Sequence, residues 1–302
     1  VAVEIATRRV TVVALDGGAS GRVIEAYASE PLPEGAVQPA LVGVNIADAG
    51  TVAGVLSRAL DRAGLGSTSR AALIVPDSVA RVTLLTFDQV PARTQELEEL
   101  IRWQVRKATP FPIADATVGH FIAHRADGKT TVAATIARRD VLAQYEAVTS
   151  AAGIHAGIVD LASFNVMNAV MGTGEPPAGD WLLVHLAADA TTLAVLRGGE
   201  LMFYRHRPAV DQEPLGALVH QTAMYHEDRL GGGKFEHVWL CGAAASAEAV
   251  RAEIAARLGV PAEAVDVRPV ASFREAVPVT GDVLDALAAP VGVLLRERKV
   301  AA

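Results

Sequence analysis

Thr7, Arg8 and Arg9 stand together in "VEIATRRV" near the start of the chain. A hydroxyl and two guanidinium groups in one short turn could contact a phosphate, although an arginine pair in a turn is more often simply solvated. Eight histidines offer imidazole chemistry. His220 and His226 lie six residues apart on one expected helix and so face different sides. No Cys/His or Asp/Glu cluster has metal-ligand spacing. Cys241, the only cysteine, ends a buried-type strand and reads as a packed thiol. No G-x-S-x-G, P-loop or G-x-G-x-x-G stretch occurs, and "GGGKFEH" (Gly231–His237) lacks the Walker spacing. "MYHEDR" (Met224–Arg229) reads as the solvated face of a helix. Any chemistry must therefore come from groups that the fold assembles.

The elements that would assemble them are duplicated. Val1–Gly18 lies over Leu182–Gly199 at a constant offset of 181. Val3 meets Val184, Glu4 meets His185, Ala6 meets Ala187, Thr11 meets Thr192, and Gly17-Gly18 meets Gly198-Gly199. Each stretch reads as a strand, a short polar turn, a second strand, and a Gly-Gly turn into a third, "RVIEAYAS" or "ELMFYRHR". A common turn order at one register favours an internal duplication. Between the copies, "MGTGEPPAGD" (Met171–Asp180) marks a hinge, with the boundary near Glu175.

Bulk properties narrow the class. The chain has 302 residues, 51% apolar and 20% charged, ample for a sizeable core. A net charge of −7 disfavours a general nucleic-acid role. One cysteine leaves no internal disulfide and fits a reducing compartment. No apolar run approaches the roughly 20 residues that span a bilayer. "VAVEIATRRV" alternates and carries two arginines, so it reads as a strand, not a signal peptide. Strands are expected at 71–76 and 81–87. A helix follows over Thr94–Lys107, capped by Thr94 and stopped by "TPFPI". Then come a hairpin about Asp127-Gly128 and a helix over Asp140–Ala152 ending at Gly153. Helices over Pro214–Leu230, Ser246–Gly259 (capped by Ser246) and Asp282–Glu297 complete the second copy.

The order of elements resembles the actin-like fold of PilM-type type IV pilus assembly proteins, which are related to the cell-division protein FtsA. The most specific stretch is "ELEELIRWQVRKATPFPIADA" (Glu96–Ala116): in that family a helix carrying Ile-Arg-Trp ends in Pro-Phe-Pro inside an inserted subdomain, 1C. "AAGIHAGIVDLASFNVMNAV" (Ala151–Val170) resembles the segment that follows it. The implied architecture is α/β, an actin-like (ribonuclease H-like) duplicated fold. Subdomain 1A is expected at 1–70 and 146–174, 1C at 71–145, and 2A at 175–302. Subdomain 2B is reduced or absent, because only about seven residues follow Arg207 before the next helix.

The resemblance implies a nucleotide site, and the residues depart from it. The first hairpin of actin-like ATPases carries Asp and Gly; here Glu4 and Ala6 stand there, with Thr7 as a remaining hydroxyl. The second hairpin has His185 and Ala187 where Asp and Gly are expected, with Asp189 two residues on; a neutral His is no hard-oxygen partner for Mg²⁺. The glycine-rich adenosine loop has become "CGAAAS", keeping Gly242. We therefore expect a degenerate site, no ATP hydrolysis, and no obligatory cofactor. Asp160 reads as a cap of the following helix.

Function then lies in surfaces. PilM-type proteins bind the N-terminal cytoplasmic tail of a bitopic PilN-like membrane protein in a groove between 1A and 1C, and the cytoplasmic part of the secretion protein GspL is a relative. The expected role is a cytoplasmic scaffold beneath the inner membrane, in a type IV pilus or type II secretion platform, reaching the membrane through partners. The groove is assigned to Val82, Leu84, Phe111 and Pro112, with Arg102 and Arg106 at its rim. The rivals are an actin-like nucleotide switch and a filament-former like FtsA; the latter is weakened because "VGVLLRERKVAA" lacks a separate amphipathic anchor.

Overall fold

Apolar runs too short for helices and buried on both faces become the central strands of sheets. The computed structural model describes residues 1–16, 22–173, 176–211, 213–242, 247–274 and 280–300. Strand β1 (Ala2–Ile5) is buried throughout and is followed by β2 (Arg9–Asp16) and β3 (Val23–Pro31). Helix α1 (Ala49–Arg62) is capped by Asp48, whose carboxylate accepts from the Thr51 amide. Then come β4 (Arg70–Val75) and a separate excursion of β5 (Ala80–Phe87), α2 (Thr94–Val105), β6 (Ala116–Ala126) and β7 (Lys129–Arg138). Helix α3 (Arg139–Ala151), β8 (His155–Leu161) and α4 (Ala162–Val170) close the first half. The second half contributes β9 (Asp180–Leu186), β10 (Ala190–Arg197), β11 (Glu200–Pro208), α5 (Leu215–Leu230), β12 (His237–Cys241), α6 (Ala247–Leu258) and β13 (Ala262–Ala264). Strand β14 (Ser272–Phe273) and α7 (Gly281–Val300) end the chain's described elements.

Three sheets result, ordered β14-β3-β2-β1-β4-β8, β11-β10-β9-β12-β13 and β5-β7-β6. The duplication read from sequence extends to atomic register. Glu4 pairs with Thr11 and His185 with Thr192; Val3 pairs with Val12 and Val184 with Leu193. Even the bulges match, falling at Ala14/Leu15 in one copy and Val195/Leu196 in the other. In both copies a parallel strand joins the far side of the first strand, β4 beside β1 and β12 beside β9. The turn at Gly198 has the left-handed φ of +56° that Gly supplies; Gly17 and Gly18 lie outside the described residues, as do Glu175 and Ser246.

Several boundaries differ from the sequence reading. The inserted sheet occupies 80–138 and not 71–145, because β4 pairs with β1 and α3 packs against α1. Likewise β14 and α7 do not stay with the second half: β14 pairs with β3, and α7 packs on α4, β1, β2 and β4. Thr94 does not cap α2; Arg93 takes that position without a side-chain bond. Between Pro208 and Leu215 stands a single 3₁₀ turn, Ala209–Asp211, so no subdomain separates β11 from α5.

Candidate functional site

The turns of the two matched hairpins, 6–8 and 187–189, face one another across a cleft of about 440 Å³. Its walls include Glu4, Thr7, Arg9, Asp77, His185 and Asp189, and Gly242 and Asp285 close its far end. Glu4, Ala6, Thr7, His185, Ala187 and Gly242 are thus brought together here, as the aligned copies imply. Within each turn the first amide is spent on closing the hairpin: Ala6 N–H donates to Arg9 O at 3.0 Å, and Ala187 N–H to Ala190 O at 2.9 Å.

Hydrogen bonds cross the cleft. Thr7 Oγ1 donates to Asp189 Oδ1 at 2.9 Å, joining one turn to the other, and Ser78 Oγ donates to Asp189 Oδ2 at 2.6 Å. Asp77, in the 3₁₀ turn after β4, is 5% exposed and uses both oxygens. Its Oδ1 accepts from the amide and the hydroxyl of Ser163, at 3.0 and 2.9 Å. Its Oδ2 accepts from Thr192 Oγ1 at 2.8 Å and faces His185 Nδ1 at 3.4 Å. His206 stands between the hydroxyls of Ser78 and Thr192, and Ser163 Oγ also meets Tyr204 OH at 2.9 Å. Ser78 and Ser163 belong to the first half, and Thr192, Tyr204 and His206 to the second. The network therefore ties the halves together with buried bonds, which are strong where one partner is charged.

Electrostatics follow from burial and pairing. Burial alone would raise the Asp77 carboxyl, but the hydrogen bond and charge of His185, aided by His206 and the Ser163 amide, hold it below the usual carboxylate range. Burial opposes a charge on His185, yet the bond to Asp77 and the charges of Asp77, Glu4 and Asp189 keep its proton affinity above that of an ordinary imidazole. Burial pushes the Glu4 carboxyl up, and Arg9 offsets this only in part. Glu4 Oε2 has no hydrogen-bond partner; Arg9 Nη2 stands 3.8 Å away and reaches the Asp285 carbonyl at 3.4 Å.

An actin-like fold implies a magnesium nucleotide in this cleft, and several of the polar groups that would meet one are already committed to one another. The carboxylates of Asp77 and Asp189 are already engaged by hydroxyl donors. Burial raises the Glu4 carboxyl above its ordinary range, which weakens it as a metal ligand. Methyl groups of Ala6 and Ala187 stand at the turns where backbone would have to approach phosphate. Among the described residues no group of three or more His, Cys, Asp or Glu side chains gathers around a metal position. Cys241 is buried, and burial raises its thiol well above the ordinary range, as befits packing.

A second concavity, about 410 Å³, opens between the inserted sheet and the first half. Phe121 of β6, Ile158 and Val159 of β8, Phe164 and Met167 of α4, and Leu201 of β11 give it apolar walls. Its polar lining includes His120, Thr135, Asn168 and the ion pair of Asp160 with Arg296 of α7. Strand β8 is the edge of the six-stranded sheet and β6 is an edge of the inserted sheet, so strand edges flank the groove. Phe121 and Ile158, on the groove's walls, remain 41% and 39% exposed.

None of the six residues assigned to a groove from sequence lines this one. Val82 and Leu84 pack against the main core. Phe111 is buried with Leu97, Ile101 and Val105 in the insertion's own core, and Pro112 is exposed. Arg102 donates to Glu98 and to the carbonyls of Ile113 and Ala116, while Arg106 is solvated. Asp160 does not cap α4 either; Asp77 holds the Ser163 amide in that helix's first turn instead. The overlooked signal for Asp77 was a short carboxylate directly after a buried strand and a proline, in "LIVPDS". The groove residues gave no local signal, because they come from elements far apart in the chain.

Comparisons with known proteins agree with this architecture. The structure of a PilM-PilN type IV pilus biogenesis complex is similar over 98% of this chain and 97% of that one, at 17% identity and a TM-score of 0.84. The cytoplasmic domain of EpsL, an inner-membrane component of the type II secretion system of Vibrio cholerae, aligns over 96% of this chain and 94% of that one, at 10% identity and a TM-score of 0.51. A Bacteroides thetaiotaomicron protein with an actin-like ATPase fold and unknown function aligns over 95% and 94%, at 10% identity and 0.48. The duplicated sheets with an insertion between β4 and β8 are the actin-like fold. The sequence model of the family described as type IV pilus assembly protein PilM matches residues 2–212, which is most of the chain, and with the fold and the paired hairpins in place the chain belongs to that family.

Proposed function

We propose that this protein is a scaffold of a type IV pilus or type II secretion inner-membrane platform, that it holds the cytoplasmic N-terminal tail of a PilN-like bitopic membrane protein, and that it works without hydrolysing ATP. The observation that carries the reading is the apolar groove flanked by the edges of β6 and β8. An extended peptide gains backbone hydrogen bonds from a free strand edge, and alternate side chains enter apolar pockets. Family membership and the likeness to a PilM-PilN complex supply the partner class. No described helix is long and apolar enough to cross a membrane, so the reading places the chain at the membrane through that partner.

Fluorescence anisotropy with a labelled peptide of the cytoplasmic tail of the PilN-like protein from the same source tests this. Wild-type protein binds, and Ile158→Arg, which puts a charge on the apolar wall, weakens binding at least about tenfold. Arg106→Ala on the solvated end of α2 leaves it unchanged. A wild-type protein that ignores the tail, or an Ile158→Arg variant that binds normally, overturns the reading.

A further inference from the structure

The cleft and the groove share a wall. Helix α4 begins at the cleft, where Asp77 Oδ1 holds the amide and hydroxyl of Ser163. The next residue, Phe164, is 7% exposed and lines the groove. Its ring meets Phe121 edge-on at 5.3 Å and Tyr204 at 5.5 Å, and the Tyr204 hydroxyl returns to Ser163 Oγ at 2.9 Å. Aromatic pairs prefer edge-on or offset arrangements with ring centroids roughly 4.5–7 Å apart, so their contact depends on where each ring is held. The other oxygen of Asp77 faces away from α4, toward Thr192 and His185 of the second half. One carboxylate thus grips the groove's helix with one oxygen and the opposite half of the molecule with the other.

We propose that Asp77 is a positioning residue of the groove: by fixing Ser163 it sets Phe164 between Phe121 and Tyr204, so that whatever loosens the cross-cleft bonds reshapes the apolar wall that receives the partner peptide. This rests on the groove being the peptide site, and it adds a means of control from the cleft. Both arms consist of packed or hydrogen-bonded atoms in direct sequence, which gives a shift at the carboxylate a physical route to the groove. Asp285 provides the contrast. It lines the same cleft, but its carboxylate accepts from the Gly242 amide and not from Ser163.

The chain's methionines make the test direct. Met167 and Met171 line the groove, whereas Met224 is exposed on α5. Methyl-¹³C-methionine spectra therefore report the groove with no peptide present. Asp77→Ala and Ser163→Ala shift the Met167 and Met171 methyl signals, spare Met224, and weaken binding of the same tail peptide about tenfold. Asp77→Asn keeps an acceptor oxygen for Ser163 but loosens the bonds to Thr192 and His185, so its groove signals shift less than those of Asp77→Ala without returning to the wild-type positions. Asp285→Asn changes neither readout.

If Asp77→Ala does not fold, Ser163→Ala, which deletes one hydroxyl, decides. Unmoved groove methyls in Ser163→Ala, or equal shifts in Asp285→Asn, overturn the coupling. Failure of the wild type to bind the tail overturns the scaffold reading alone, since the methyl spectra still decide whether cleft and groove are connected.

Discussion

Gly242 has a φ of +90°, and a Cβ built on it would lie 2.1 Å from the carbonyl oxygen of Leu186. Glycine is therefore demanded here by backbone packed on the second hairpin. Gly242→Ala combines an unfavourable conformation with a backbone clash and should lower unfolding free energy by at least about 2 kcal/mol in urea titrations. Gly198 is also left-handed but open to space, so Gly198→Ala should cost only about 1 kcal/mol. Asp180 is a second decisive residue. It accepts from Arg197 Nε and Nη2 at 2.7 and 2.8 Å and meets His226 Nε2 at 2.6 Å. The Arg197 hydrogen bonds, opposed by partial burial and helped by His226, hold its carboxyl below the usual value of 3.8. A depressed carboxyl stabilises the fold fully above the unfolded-state value and loses that contribution as pH falls through the folded one. Asp180→Asn should therefore cost about 2 kcal/mol near neutral pH. The gap to wild type should begin to narrow only as pH falls below the unfolded-state value of 3.8, and should close once pH passes the lower folded-state value, where the wild-type carboxyl is protonated too; urea titrations across pH would register this.

Elements carry what single residues cannot show. Helix α7 lies so close to α4 that a Cβ on Gly292 would fall 1.7 Å from the Asn165 carbonyl oxygen. Gly292→Ala must separate the two helices and should cost about 3 kcal/mol, seen as a lowered thermal midpoint by circular dichroism. Because α4 also forms the groove, the same variant should weaken tail-peptide binding. The sequence made the two hairpins legible because their strands are neighbours in the chain and their pattern recurs at one offset. It did not reveal that β4 pairs with β1, that α3 returns to α1, or that β14 and α7 cross back to the first half. Those choices are made by nonlocal burial, to which a local apolar pattern is blind. The residues lining the concavity beside α4 went unread for the same reason: Val82 and Phe111 are as apolar as Phe121 and Ile158, and only tertiary packing leaves the latter pair 41% and 39% exposed.

At the scale of the whole molecule, the question is what holds two half-molecules at one angle. In this chain protein atoms span the cleft themselves, through Thr7 and Ser78 on Asp189 and through Asp77 on Thr192 and His185. A polyphosphate entering there would meet Glu4, Asp77, Asp189 and Asp285 and would have to displace bonds already made. Its positive counterparts are Arg8 and Arg9, with His185 committed to Asp77. A ligand with micromolar affinity, present at about a thousand times its Kd, would stabilise the fold by about 4 kcal/mol and raise the thermal midpoint by several degrees. With millimolar ATP and Mg²⁺ we expect a shift within about 1 °C, no more than nonspecific ion effects produce. Asp189→Ala should lower the midpoint, because Thr7 and Ser78 lose their shared acceptor, and it should remain unresponsive to the nucleotide. A rise of several degrees with wild-type protein would instead show that the cross-cleft bonds yield to nucleotide, and the molecule would then be a switch, with Asp77 as the point at which occupancy of the cleft is felt in the groove.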